Sequence, residues 1–264
     1  MCAHVTLDNA FFLIEGHPPA GQIGNRFSLL EPSCFFVIPH NGSVQFRLLY
    51  CGNQLVSNGK PALKHAIRKT FHPQLRQLWT RNRRLQQMAM RWGNLKLYGD
   101  ILEGGERAAV EMEPIWSKIP EQRKKGELKF LWMTAERFKR GKFHFVPLVE
   151  ADLRLRVSLD ILFLRHDRLP LVKEGGDIDN RLKTLFDALR VPDSIDGLGG
   201  GPEEDESPFF VLLEDDSLIS EIRVSTDQLL LLPQKKAIDP KDAFLVMDVK
   251  LQPTEDNPRS ACFS

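Results

Sequence analysis

The chain has 264 residues, 42% of them hydrophobic and 27% charged, with a formal net charge of +1. That composition excludes a disordered, collagen-like or disulfide-scaffold protein and is enough to bury the core of one elaborated domain or two small ones. No apolar run approaches the roughly 18 residues that a membrane-spanning helix needs. The first residues lack the basic region and apolar stretch of a secretory signal. No membrane partner is therefore expected, and the expected compartment is cytoplasmic. Cys2, Cys34, Cys51 and Cys262 are scattered without a C-x-x-C pair, as suits buried thiols in a reducing environment.

The near-neutral total hides an asymmetry. Residues 60–142 hold twenty Lys and Arg against eight Asp and Glu, whereas residues 174–221 hold fourteen acids against Arg181, Lys183 and Arg190. A basic block can contact a polyanion, and a divalent cation is one reason to concentrate acids. The plainer alternative is two solvated faces that neutralise each other.

Residues 1–43 are expected to form an N-terminal β extension, with strands at Phe11 to Ile14 and Cys34 to Ile38 closed by Pro- and Gly-containing turns. Val44 to Tyr50 alternates and predicts a strand. Ala62 to Trp79 predicts a helix, with Ile67, Phe71, Leu75 and Leu78 at helical spacing and a kink or break at Pro73. Residues at about 80–147 are expected to be a mainly helical, basic insertion. Its cations Arg81, Arg83, Arg84, Arg123, Lys124, Lys125, Lys139 and Arg140 are candidate nucleic-acid contacts, and its tryptophans are expected in the core of that cap. Leu153 to Leu164 predicts a central strand, Asp177 to Arg190 a helix, and Pro192 to Pro208 a flexible loop. Phe209 to Leu213, Ile219 to Thr226 and Ala243 to Leu251 predict three further strands. The fold class is α+β.

The most informative stretch is Asp177 to Leu189. Leu182, Leu185, Phe186 and Leu189 make one apolar face at i, i+3, i+4 and i+7. Asp179, Lys183 and Asp187 are spaced by four along a flank of the same helix. A single acid at a helix start needs only a capping role, but Asp177 and Asp179 are two. A second pair, Asp215 and Asp216, lies between strands. Carboxylates converging from both places would repel unless a hard cation joined them, and oxygen donors suit Mg²⁺ or Mn²⁺. The seven histidines show no metal-ligand spacing, and no nucleotide-binding glycine loop or nucleophile elbow is present.

The run D-x-D-N-x-x-K-x-x-x-D-A-L resembles the signature of RusA-type Holliday-junction resolvases, metal-dependent endonucleases of DNA recombination and repair. The resemblance covers about 153–251, and more loosely 44–79. It implies a RusA-like mixed sheet with packed helices across a nuclease domain at 44–264, interrupted by the insertion. It further implies Asp177, Asp179 and Asp216 as metal ligands, Asp215 as an auxiliary acid, Lys183 as the functional lysine, and a homodimer acting on branched or junction DNA. Asp187, a further acid of the motif, is expected to be structural. The chain departs from the family in its length, its N-terminal extension, its basic insertion, its acidic loop and its neutral charge. The extension and insertion are candidate docking sites for a protein partner. The alternative function is a catalytically weak RusA-derived subunit that binds nucleic acid or a partner in a larger assembly. A phosphotransfer enzyme using D-x-D ranks below both.

Overall fold

The computed structural model describes residues 6–7, 10–11, 44–52, 55, 59–86, 89, 119–120, 131–165, 178–199, 201–229 and 243–254. Two compact units divide the chain, Met1–Ser33 and Cys34–Ser264. In the first unit, β1 (Thr6–Leu7) and β2 (Ala10–Phe11) pair antiparallel. The strand expected at Cys34 to Ile38 lies outside the described residues.

In the second unit, helices combine with mixed sheets, as the α+β expectation requires. The elements in chain order are β3 (Gln45–Gly52), α1 (Pro61–Arg81), α2 (Leu131–Arg137), β4 (Lys139–Arg140), β5 (Phe143–Val149) and β6 (Leu155–Arg165). They continue with α3 (Ile178–Leu189), β7 (Phe209–Leu213), β8 (Ile219–Gln228) and β9 (Ala243–Pro253). One sheet has the order β3-β9-β6-β8 and the other β4-β5-β7. β6 runs antiparallel to β9 and parallel to β8, and β5 runs parallel to β7.

Period-two alternation turns one face of the larger sheet inward. Phe46, Leu48 and Tyr50 of β3, Leu159 and Ile161 of β6, and Met247 and Val249 of β9 are all buried there. The opposite face carries a charged row in register across all four strands: Arg47 beside Asp248, Asp248 beside Asp160, Asp160 beside Arg223. Arg47 pairs with Asp248 at 2.7 Å and Arg223 with Asp160 at 3.6 Å. In the smaller sheet, β5 and β7 are buried along their whole length, which suits parallel neighbours covered on both faces.

Three expectations change. First, α1 is continuous through Pro73. Proline removes one helical donor, but neighbouring side chains anchor this turn from outside. The Gln74 amide accepts from Leu49 N–H at 2.9 Å and donates to Leu49 O at 2.7 Å, and His72 Nδ1 accepts from Phe210 N–H at 2.8 Å.

Second, the end of the supposed helical insertion is sheet. Lys139 and Arg140 lie on β4, and Phe143–Val149 forms β5. With His144 its only polar residue, Phe143–Val149 has no clear period to separate strand from helix, and here the parallel pairing with β7 decides. Within that block α2 is helical, with Trp132 buried. Trp79, at the end of α1, is buried as well.

Third, the acidic loop after α3 is tied down. Lys69 bonds Glu203 at 2.9 Å and Glu206 at 2.8 Å, and Asp205 O accepts from Arg76 at 3.1 Å and lies 3.0 Å from His72 Nε2. Gly197 (φ +75°) fixes the near end of this loop, because a Cβ there would meet the Pro61 carbonyl carbon at 2.5 Å.

His65 is buried on α1 between Phe143 and Phe209, at ring distances of 5.4 and 5.6 Å. Neither of its ring nitrogens has a hydrogen-bond partner among the described residues. Burial first, then the nearby Arg68 and Lys69, push its pKa down to about 4. The folded protein therefore holds it neutral, while the unfolded chain takes up a proton near its ordinary value of about 6.5. Stability linked to His65 is complete above that value and is lost as pH falls from about 6.5 toward 4. Denaturant melts at pH 7 and pH 5 should show His65→Phe flattening this loss and gaining about 1 kcal/mol at pH 7 by removing the orphaned imidazole. Gly197→Ala should lower stability by about 1–3 kcal/mol in the same melts.

Candidate active site

The motif helix forms as its sequence requires. Leu185, Ala188 and Leu189 of α3 are buried, with Leu182 and Phe186 packed against the same core. The polar flank remains outside: Asp179, in the first turn, and Lys183, one turn on, are exposed. The Asp179 carboxylate accepts from Asn180 N–H at 2.8 Å. Asp177 lies outside the described residues.

α3 ends at β7. Val191 N–H donates to Leu213 O at 3.0 Å, so the chain leaving the helix runs beside the end of that strand. Past Leu213 the backbone forms a 3-10 turn at Asp216–Leu218. Leu218 is buried and seats this turn, which packs on α3 and β6. Asp215 caps it by accepting from Ser217 N–H at 3.0 Å. The hydrogen bonds from Ser217, aided by the Arg190 charge, hold the Asp215 carboxyl below its ordinary pKa. Asp216 is exposed at the head of the turn. The two motif acids that are described, Asp179 and Asp187, and the pair Asp215–Asp216 thus belong to one helix and to the turn packed on it.

A group absent from the sequence-based site stands between them. Arg190, just past α3, bonds both oxygens of Asp193 at 2.6 Å and approaches Asp187 at 3.4 Å and Asp215 at 3.9 Å. Its guanidinium is held charged above its ordinary pKa, first by the bond to Asp193, against the cost of burial, and then by the charges of Asp193, Asp187 and Asp216. Asp187 also takes Lys64 Nζ at 2.6 Å. Arg68 is buried and donates to Asp187 O at 2.8 Å and Arg190 O at 3.2 Å, which caps the carbonyl end of α3. Burial and the neighbouring Arg190 lower its pKa to about 10. Arg190 was legible only as an i, i+3 neighbour of Asp187 and of Asp193. Lys64 and Arg68 carried no local signal, since their partners lie more than a hundred residues away.

The proposed ligand atoms are all carboxylate oxygens, a donor set chemically suited to Mg²⁺ or Mn²⁺. Among the described residues no three His, Cys, Asp or Glu side chains gather closely enough to hold a cation. Asp215 already serves Ser217 and faces Arg190. Of the candidate phosphate contacts, Arg81, Arg83, Arg84 and Lys139 are exposed. Arg140 donates to Pro192 O at 3.1 Å and Lys139 O at 3.0 Å. Arg123, Lys124 and Lys125 lie outside the described residues.

No family model matches the chain, and no curated protein matches it. The geometry gives Asp187 a structural task, joining α1 to α3 through Lys64 and bracing Arg190. Removing a mostly buried partner leaves a cation poorly compensated. Asp187→Ala should therefore cost about 2 kcal/mol in a denaturant melt, and Asp187→Asn less, since its amide still accepts from Lys64.

Proposed function

We propose that the chain is a metal-dependent endonuclease that hydrolyses phosphodiester bonds in DNA, with branched or junction DNA as its preferred substrate. The observation that carries this reading is the thirteen-residue run Asp177 to Leu189 with its D-x-D-N-x-x-K pattern, together with the packing of the Asp215–Asp216 turn on the helix that the run forms. In the proposal Asp177, Asp179 and Asp216 supply the ligand oxygens for Mg²⁺ or Mn²⁺, and Asp215 orients that group from its capped position. When bound, such a cation would acidify water and offset charge developing on phosphate. Lys183, exposed one turn beyond Asp179, is suited to contact a phosphate oxygen. The exposed Arg81, Arg83, Arg84 and Lys139 would neutralise backbone charge, which provides affinity with little sequence information. A two-fold homodimer would suit the symmetry of a four-way junction.

The second reading, a binding subunit with little catalysis, is favoured by one observation. Asp215 is already engaged by Ser217 and Arg190, so part of the acidic set is satisfied within the chain.

Cleavage assays separate the two readings. Parent protein is incubated with four-way junction, flap, duplex and RNA substrates, in Mg²⁺, Mn²⁺ or EDTA. Cutting of branched DNA with either cation and none in EDTA is expected. Asp179→Asn and Asp216→Asn should each cut at least about a hundredfold more slowly while binding DNA in EDTA as the parent does. Unchanged cutting by Asp179→Asn sinks the site. Binding without cutting on every substrate leaves the second reading.

A further inference from the structure

Arg190 belongs to a cleft of about 160 Å³ at the junction of α1, the end of α3 and the loop that follows. Lys64, Arg68 and Arg190 line it together with Asp187, Asp193 and Asp196. At roughly 15 Å³ of such space per water, it has room for about ten waters and so for a tetrahedral phosphate. Two of the three cations are committed to the fold. Lys64 is tied to Asp187, and Arg68 is buried on the carbonyl end of α3. Both raise the positive potential of the cleft.

Arg190 is different. Its guanidinium makes a two-pronged bond with Asp193, whose side chain is 77% exposed and stands only three residues further along the chain. A pair with one partner so exposed contributes little to stability. The same planar fork binds a phosphate through two parallel N–H···O bonds. Removing the Asp193 carboxylate from the cleft leaves its cations in excess. Arg190 Nη1 also lies 3.9 Å from Asp215, so an anion on the fork would sit beside the acids of the proposed active site.

We propose that Arg190 is a backbone-phosphate anchor for nucleic acid, and that Asp193 occupies its fork as an internal stand-in until substrate phosphate replaces it. The inference rests on the nuclease reading for its choice of ligand, but its test reads binding alone. The full chain is titrated into labelled four-way junction DNA in EDTA across 50–200 mM salt. Asp193→Asn should bind about three- to tenfold tighter, because the competing carboxylate is gone. Arg190→Gln should bind more weakly, with a log–log salt slope smaller by about one. The double variant should match Arg190→Gln, since Asp193 acts only through Arg190. Arg190→Lys keeps the charge and loses the fork, so it should fall between parent and Arg190→Gln. Comparing it with Asp193→Asn still decides the matter if Arg190→Gln does not fold.

A second arm follows thermal stabilisation by inorganic phosphate. Stronger stabilisation of Asp193→Asn than of the parent supports the exchange. Stabilisation by phosphate with DNA affinity unchanged in every variant overturns the nucleic-acid assignment. Unchanged DNA affinity in Asp193→Asn together with an unchanged salt slope in Arg190→Gln overturns the anchor altogether. If these binding changes appear in a protein that cuts no substrate, the nuclease reading fails and the anchor stands.

Discussion

A guanidinium taken out of water must be given acceptors, and in this fold that requirement falls on Arg68. It lies within α1, yet its partners are the carbonyls at the far end of α3. Those carbonyls are the groups a helix leaves unpaired and slightly negative, so one side chain satisfies both needs. The consequence is positional. α1 and α3 are joined at the point where Val191 also bonds the end of β7, and the turn carrying Asp215 and Asp216 grows directly from that strand. Each described acid of the proposed site inherits its place from this junction, either along α3 or just beyond β7.

The segregation of charge along the sequence is partly undone in space. Cations of the basic block face acids of the acidic block: Lys64 meets Asp187, and Lys69 meets Glu203 and Glu206. The mostly buried Lys64–Asp187 pair joins α1 to α3, and the two bonds of Lys69 hold the loop after α3 against α1. The two blocks thus neutralise each other along α1 through partly buried pairs and not only through solvated faces. Arg81 at the end of α1, and Arg83 and Arg84 just beyond it, are exposed.

Much of this architecture was legible because it obeys local periods. The apolar stripe of α3 and the alternation of β6 and β9 mark both type and buried face. β5 was not legible, since Phe143–Val149 is buried at every position and, with His144 its only polar residue, shows no clear period; its parallel partner distinguishes strand from helix. Beside Pro73, where α1 runs on unbroken, Gln74 bonds Leu49, a contact between distant segments that no local period announces. The site divides the same way. Asp179, Lys183 and Asp187 were marked by helical spacing, and Asp215 and Asp216 by adjacency between strands. The guanidinium that stands among these acids was not marked, because its meaning comes from α1 and β7 folding around it.

The charged row across the outer face of the larger sheet has a consequence for alignment. Burial punishes a strand that slips by one residue, because its apolar side chains then point to water. A slip of two escapes that penalty, since Phe46, Leu48 and Tyr50 would still face inward. The ionic row detects what burial misses. Sliding β3 two positions along β9 would set Arg47 opposite either Lys250 or Val246 in place of Asp248, exchanging attraction for repulsion or for nothing. Arg47 and Arg223 also flank the directly opposed acids Asp248 and Asp160, so the like-charge contact between β6 and β9 is tolerable only in the one alignment that brings both arginines alongside. The solvent-facing surface thus works as a vernier for the strands whose other side forms the core.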